Sequence, residues 1–272
     1  MNLTARRTRI ALFAALPWEF HAFRRRFHPW KLLCRVPFRV SCSFWKDREL
    51  LLVETGMGKE MVESAMNWVF WSWPFDFLVS FGFAGGLHPS MSVGDSFLCR
   101  DFYRFDTKTM RCDELHYVAD IPAELLDWCK SAAVECCRTI TTLRHEPKNV
   151  FSDALKSIPT AVDMESYYAA AFAHAWKLPF CCFRSISDSC TQELGFQVQD
   201  LAGERGRIKI VEVLRTIGKN PRTVPSFFRS WMRSQQAGHS LGKVVSAFVT
   251  CRGLTLPDRL QLLVNWPRAS SS

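Results

Sequence analysis

A three-layer α/β/α domain with a helical C-terminal extension is the fold class that the chain predicts, and three observations carry it. Apolar runs of strand length alternate with amphipathic segments of helix length through residue 190. Proline or glycine marks the junctions between them, as at Pro17 and at Thr55-Gly56-Met57-Gly58. The charge then changes character: residues 201–272 hold 12 Lys/Arg against 3 Asp/Glu, whereas the remainder holds 23 of each. The expected division is a catalytic-type α/β domain over 1–195 and a basic amphipathic helical extension over 196–272.

Each element has its own justification. Arg9–Leu16 is a buried first strand, and Pro17 opens a basic helix that runs to Phe27. Residues 32–54 form two or three strands, with Lys46-Asp47-Arg48 turning between the last two. The glycine turn at 55–58 starts a helix from Lys59 to Trp71, and Phe75–Phe81 is a strand entering a second glycine turn, Gly82-Phe83-Ala84-Gly85-Gly86. Val93–Phe105 continues as strand, Ile121–Cys137 as helix, Arg138–Leu143 as strand, and 144–160 as a loop or short helix. Ser166–Trp176 is a small-residue helix closed by Lys177-Leu178-Pro179, because proline disfavours helix at the residue before it. Phe180–Phe183 is a strand that delivers Arg184, Ser187 and Asp188 to its end, where open α/β sheets place ligands. Beyond it, Ile208–Ile217 is a basic helix, Pro221–Pro225 a linker, and Phe227–Val249 a second helical region.

Composition narrows the class. A hydrophobic share of 48% with 22% charged residues excludes a disordered chain. Eleven cysteines without C-x-x-C or zinc spacing predict free thiols in a reducing compartment. The basic and apolar start imitates a secretory leader, but Trp18-Glu19 and an arginine cluster follow at strand length, so a cytoplasmic chain is expected. The Trp/Phe-rich stretch 66–83 is broken by Pro74 and Asp76, short of the ~18 apolar residues of a membrane span. In the tail, Phe227, Phe228, Trp231 and Met232 beside Arg229 and Arg233 suit peripheral contact with an anionic membrane. No nucleic-acid module is recognisable, and no nucleic-acid partner is expected.

Three stretches hold candidate chemistry. TGMGK brings backbone near a ligand but lacks both Walker and G-x-G-x-x-G spacing. FGFAGG offers glycines where a chain can run close to a ligand, or pack on another chain. AVDMES and SISD put carboxylates at both ends of a strand–helix–strand unit.

Together, ALPWE (15–19), ETGMGK (54–59), SFGFAGGLHPSMSVGD (80–95), AVDMES (161–166) and LPFCCFRSISD (178–188) resemble the nucleoside phosphorylase/nucleosidase superfamily. Within it the chain is similar to methylthioadenosine/S-adenosylhomocysteine nucleosidases, and more closely to the hopanoid-associated phosphorylases. The resemblance implies a phosphorylase-like fold with a central mixed sheet, a homodimer, and cleavage of the N-glycosidic bond of a 5′-substituted adenosine. Adenosylhopane is the substrate implied by the second group, and methylthioadenosine or adenosylhomocysteine hydrolysis is the alternative. A silent nucleoside- or lipid-binding module is an alternative of another class.

The same resemblance assigns roles. Asp188, with Ser187 and Arg184, faces the base and protonates adenine N7. Glu19 orients the incoming nucleophile. Glu165 holds the ribose diol, Met164 packs on the sugar, and Asp163, Gly58, Gly82, Phe83, Ala84 and Gly85 complete the substrate contacts. No metal or organic cofactor is implied, with phosphate as the co-substrate under consideration. The chain departs from the pattern at Phe83, where nucleosidases carry a serine on the nucleophile side, and at Asp163, one methylene shorter than the common glutamate. Segment 144–160 matches poorly, so no base-stacking residue is carried over; Phe151 is the aromatic at hand. Arg24, Arg25 and Arg26 cannot all face one site on a helix, and most must be solvated.

Overall fold

In the computed structural model, residues 7–118, 123–192 and 224–251 are described. The strands are β1 (Thr8–Ala14), β2 (Lys31–Cys34), β3 (Arg39–Trp45), β4 (Arg48–Glu54), β5 (Phe77–Gly86), β6 (Ser96–Asp106), β7 (Arg111–Val118), β8 (Glu135–Thr141), β9 (Thr160–Asp163) and β10 (Phe180–Asp188). The helices are α1 (Pro17–Arg26), α2 (Lys59–Ser72), α3 (Ala123–Ser131), α4 (Asp153–Lys156), α5 (Ser166–Ala175) and α6 (Val224–Thr250). All ten strands join one mixed sheet in the order β10-β6-β8-β9-β5-β1-β4-β3-β2, with β7 beside β6. Because β10 also pairs with β5, the strands β5, β10, β6, β8 and β9 close on themselves.

β1 shows why these residues form a central strand. Ala11 and Phe13 enter the cluster packed by Val62, Met66 and Val69 of α2 and by Tyr167, Ala170 and Phe172 of α5. Ile10, Leu12 and Ala14 enter the opposite cluster with Phe20 and Phe23 of α1 and Leu241, Val245 and Phe248 of α6. Both faces of the strand are covered, so its sequence is continuously apolar rather than alternating. The sheet thus lies between α2/α5 and α1/α6. Helix α6 is a full member of this second layer. Gly242 lets it approach α1, since a Cβ there would sit 2.6 Å from Ala22 Cβ and 2.9 Å from Phe23 N.

Four sequence expectations change. The FGFAGG stretch is not a turn: its glycines continue β5 to Gly86, paired with Arg184, Asp188, Val162 and Ala161. The helix expected through Cys137 stops at Ser131, and Ala133, with φ 52°, turns the chain into β8. Strand β7 has no counterpart in the sequence reading. Phe151, the candidate base-stacking aromatic, is 2% exposed and packs on Phe105 with centroids 5.0 Å apart. Helix Ile208–Ile217 lies outside the described residues, as do the side chains of Phe227, Phe228 and Arg229. Among the described residues, no helix is long and apolar enough to cross a membrane.

Candidate active site

A break in strand pairing marks the candidate site. On the edge of β5 opposite β10, β1 pairs as far as Phe13↔Ser80, and β9 takes over at Gly85↔Val162. Between these points no strand covers Phe81–Ala84 on that edge among the described residues. A backbone donor left there must find another partner. The Phe83 N–H finds Glu19, 3.0 Å from Oε1.

Glu19 is the third residue of α1, and its Oε2 accepts from the N-cap Leu16 N–H at 2.8 Å, the reach-back bond of a capping box. Both carboxylate oxygens are therefore fixed. Burial pushes its pKa up, opposed by the Phe83 and Leu16 N–H groups and by the Arg184 charge. Gly82 is required beside it: a Cβ there would lie 2.9 Å from Glu19 Oε1.

Glu165 caps α5, and its Oε1 accepts from the Gly58 N–H at 2.7 Å. Gly58 turns that N–H inward with φ 88°, a conformation that favours glycine. Burial first, and then the neighbouring Asp163 charge, push the Glu165 carboxyl up to about 8. Met164 lies close by, its Cε 3.9 Å from where a Gly58 Cβ would stand.

Asp163 and Arg184 sit beneath these acids as a buried pair, Nε to Oδ2 at 2.7 Å. Arg184 also donates to Ser80 Oγ at 3.1 Å and to the Phe183 carbonyl at 3.1 Å. Asp163 accepts from Thr141 Oγ1 at 2.7 Å, from the Ser166 N–H at 3.1 Å and from the Ser166 hydroxyl. Their polar atoms serve each other and the scaffold. Above them is a small cavity lined by Ala15, Glu19, Thr55, Ser80, Gly82, Glu165 and Arg184, with room for about one water molecule.

Asp188 lies at the other end of the break. It is 3% exposed, and its Oδ1 accepts from Ser187 Oγ at 2.7 Å. Its Oδ2 pairs with Lys148 Nζ at 2.6 Å. A Cβ on Gly85 would come within 2.9 Å of Asp188 Oδ2 and 3.3 Å of Lys148 Cε. Gly82 and Gly85 thus make room for protein carboxylates. Ala84 is buried and its carbonyl accepts from Ser187 Oγ at 3.4 Å. Phe83 points its ring at α6, with Cζ 3.5 Å from the position of a Gly238 Cβ.

The sequence-derived acids therefore gather in two groups along β5: Glu19 and Glu165 at one end of the break, Asp188 at the other. Lys148 was missed, because it lies in the segment that matches no motif and a lone lysine after Pro147 carries no signal. Arg25 and Arg26 are exposed and Arg24 half-buried. Among the described residues, no group of three metal-type ligands occurs.

An α/β chain with three acids disposed along a break in its sheet edge is a candidate enzyme of glycosyl-transfer type. Residues 9–217 match the phosphorylase superfamily, and the chain belongs to it. It is similar to the 5′-methylthioadenosine/S-adenosylhomocysteine nucleosidase of Bacillus subtilis (strain 168), 25% identical over 207 residues covering 68% of this chain and 87% of that one. The Geobacillus kaustophilus (strain HTA426) nucleosidase of the same name is 26% identical over 233 residues, 77% of this chain and 92% of that one. Among solved structures, the fold is shared with a Helicobacter pylori nucleosidase holding 5′-methylthioadenosine (TM-score 0.66, 12% identity, covering 89% and 98%). It is shared equally with the futalosine hydrolase of Helicobacter pylori strain 26695 (TM-score 0.66, 13% identity, covering 89% and 97%).

Proposed function

We propose that the chain cleaves the N-glycosidic bond of a 5′-substituted adenosine and releases adenine. The observation that carries this reading is the arrangement of acids: Glu19, fixed through both oxygens, shares a water-sized cavity with Glu165, while Asp188 stands three residues further along β5. Three strand residues span about 10 Å, the scale of a nucleoside laid along the break. A nucleophile held by Glu19 attacks C1′, and Glu19 takes its proton. The C1′–N9 bond breaks with its electron pair passing into the purine, and Asp188 passes N7 a proton taken up from solvent as the nucleoside binds. Glu165 accepts the ribose hydroxyls and faces the positive charge developing on the sugar.

The size of the cavity supports water as the acceptor. The hopanoid-phosphorylase resemblance supports phosphate and a triterpenoid 5′ group. For the second reading, α6 supplies an observation: Trp231 and Met232 are 55% and 52% exposed, two turns from the Gly238 that meets Phe83. That face suits a membrane-borne substrate, in a cytoplasmic protein touching the inner membrane peripherally as a homodimer. Names of the curated relatives support methylthioadenosine or adenosylhomocysteine instead.

Adenine release from methylthioadenosine and from a long-chain 5′-alkyl adenosine, each with and without phosphate, tests the reading. Release from either supports cleavage, and the phosphate arm assigns the acceptor. No release from both leaves a binding module and overturns it.

A further inference from the structure

Among the described residues, Lys148 is the one buried cation beside these acids that no motif identified. Its ammonium meets four acceptors: Asp188 Oδ2 at 2.6 Å, the Asp188 carbonyl at 3.0 Å, the Gln192 carbonyl at 2.9 Å and the Ser189 carbonyl. Four acceptors around one ammonium engage all of its N–H bonds within the protein. Its backbone belongs to the short 3-10 turn Lys148–Val150, so the side chain ties this turn to the end of β10. Gly85 admits the crossing of the two side chains over β5.

Resting on the proposed cleavage, we propose that Lys148 is the positioning residue for Asp188, fixing its carboxyl towards the purine and stabilising the carboxylate left when N7 takes the proton. A carboxylate 3% exposed is costly to create unless a counter-charge is already in place. Lys148 supplies that charge at contact distance, and Ser187 fixes the other oxygen. The contribution falls on expulsion of the base, since the nucleoside contacts of Glu165 and Glu19 lie at the other end of the break.

The test compares full-length wild type with Lys148→Met and Lys148→Arg on whichever adenosine derivative the wild type cleaves. A p-nitrophenyl 5-substituted riboside serves as control, because its leaving group departs without a proton. Lys148→Met should lower kcat for adenine release roughly 100-fold with KM within about threefold, the scale of one general-acid contribution. Cleavage of the aryl riboside should change far less, and Lys148→Arg should recover part of the loss. Gly85→Ala, which crowds the same pair, should repeat the pattern. Equal losses on both substrates, a change in KM alone, or no loss would overturn the assignment. Absence of cleavage by the wild type would instead refute the proposed function, and this inference with it.

Discussion

Glu165→Gln isolates the proton that the fold holds where β1 leaves β5. Glu165 is lifted from an ordinary 4.5 to about 8, with burial the larger cause and Asp163 the next. Between these values the folded protein keeps a proton that the unfolded chain has released, so stability falls as pH rises through the window. The full lift corresponds to about 5 kcal/mol as an upper bound, so about 2–5 kcal/mol is expected. Glutamine keeps an oxygen for the Gly58 N–H and carries no charge. Urea unfolding of both proteins without nucleoside, from pH 5 to 9, measures the effect. The variant should gain on the wild type steadily up to about pH 8 and then level off. A difference that is flat with pH, or one that slopes the other way, would refute the reasoning.

Three further outcomes follow from the same geometry. Asp163→Ala strands the Arg184 guanidinium, 2% exposed, and should cost about 3–5 kcal/mol in urea unfolding; a loss below about 1 kcal/mol would contradict the buried pair. Gly242→Ala forces a Cβ to within 2.6 Å of Ala22 Cβ, so α6 should lift from α1 at a cost of about 1–3 kcal/mol, read as a lowered Tm. Gly82→Ala displaces Glu19 Oε1, which a Cβ would approach to 2.9 Å; adenine release should fall by roughly 100-fold while unfolding shifts little.

Much of the architecture was legible in the sequence because its signals are local. Pro17, the apolar run of β1 and the Gly56/Gly58 turn fix their own elements wherever the rest of the chain goes. The acids were legible because five motifs in order constrain one another. The FGFAGG stretch misled for a physical reason: glycine usually marks a turn, but here the lost Cβ atoms make way for Glu19 and Asp188, which arrive from residues distant in sequence. Lys148 and Phe151 show the same limit within four residues of each other. One pairs with a carboxylate 40 positions away and the other enters a satellite core, and nothing local separates the two fates. Strand β7 is an edge added to β6, fixed by a partner that its own residues do not name.

The uncovered stretch of β5 between the last pair with β1 and the first with β9 has a further consequence. Its width is set by where two neighbouring strands stop, and each residue added to or removed from an end alters it by about 3.4 Å. Two of the acids follow those very strand ends: Glu19 comes five residues after Ala14, the last of β1, and Glu165 two residues after Asp163, the last of β9, whereas Asp188 ends β10 on the far edge. Aperture and acid placement are thus one variable in this scaffold. A lineage that trims either strand for a bulkier guest also shifts a carboxylate, and must anchor it anew.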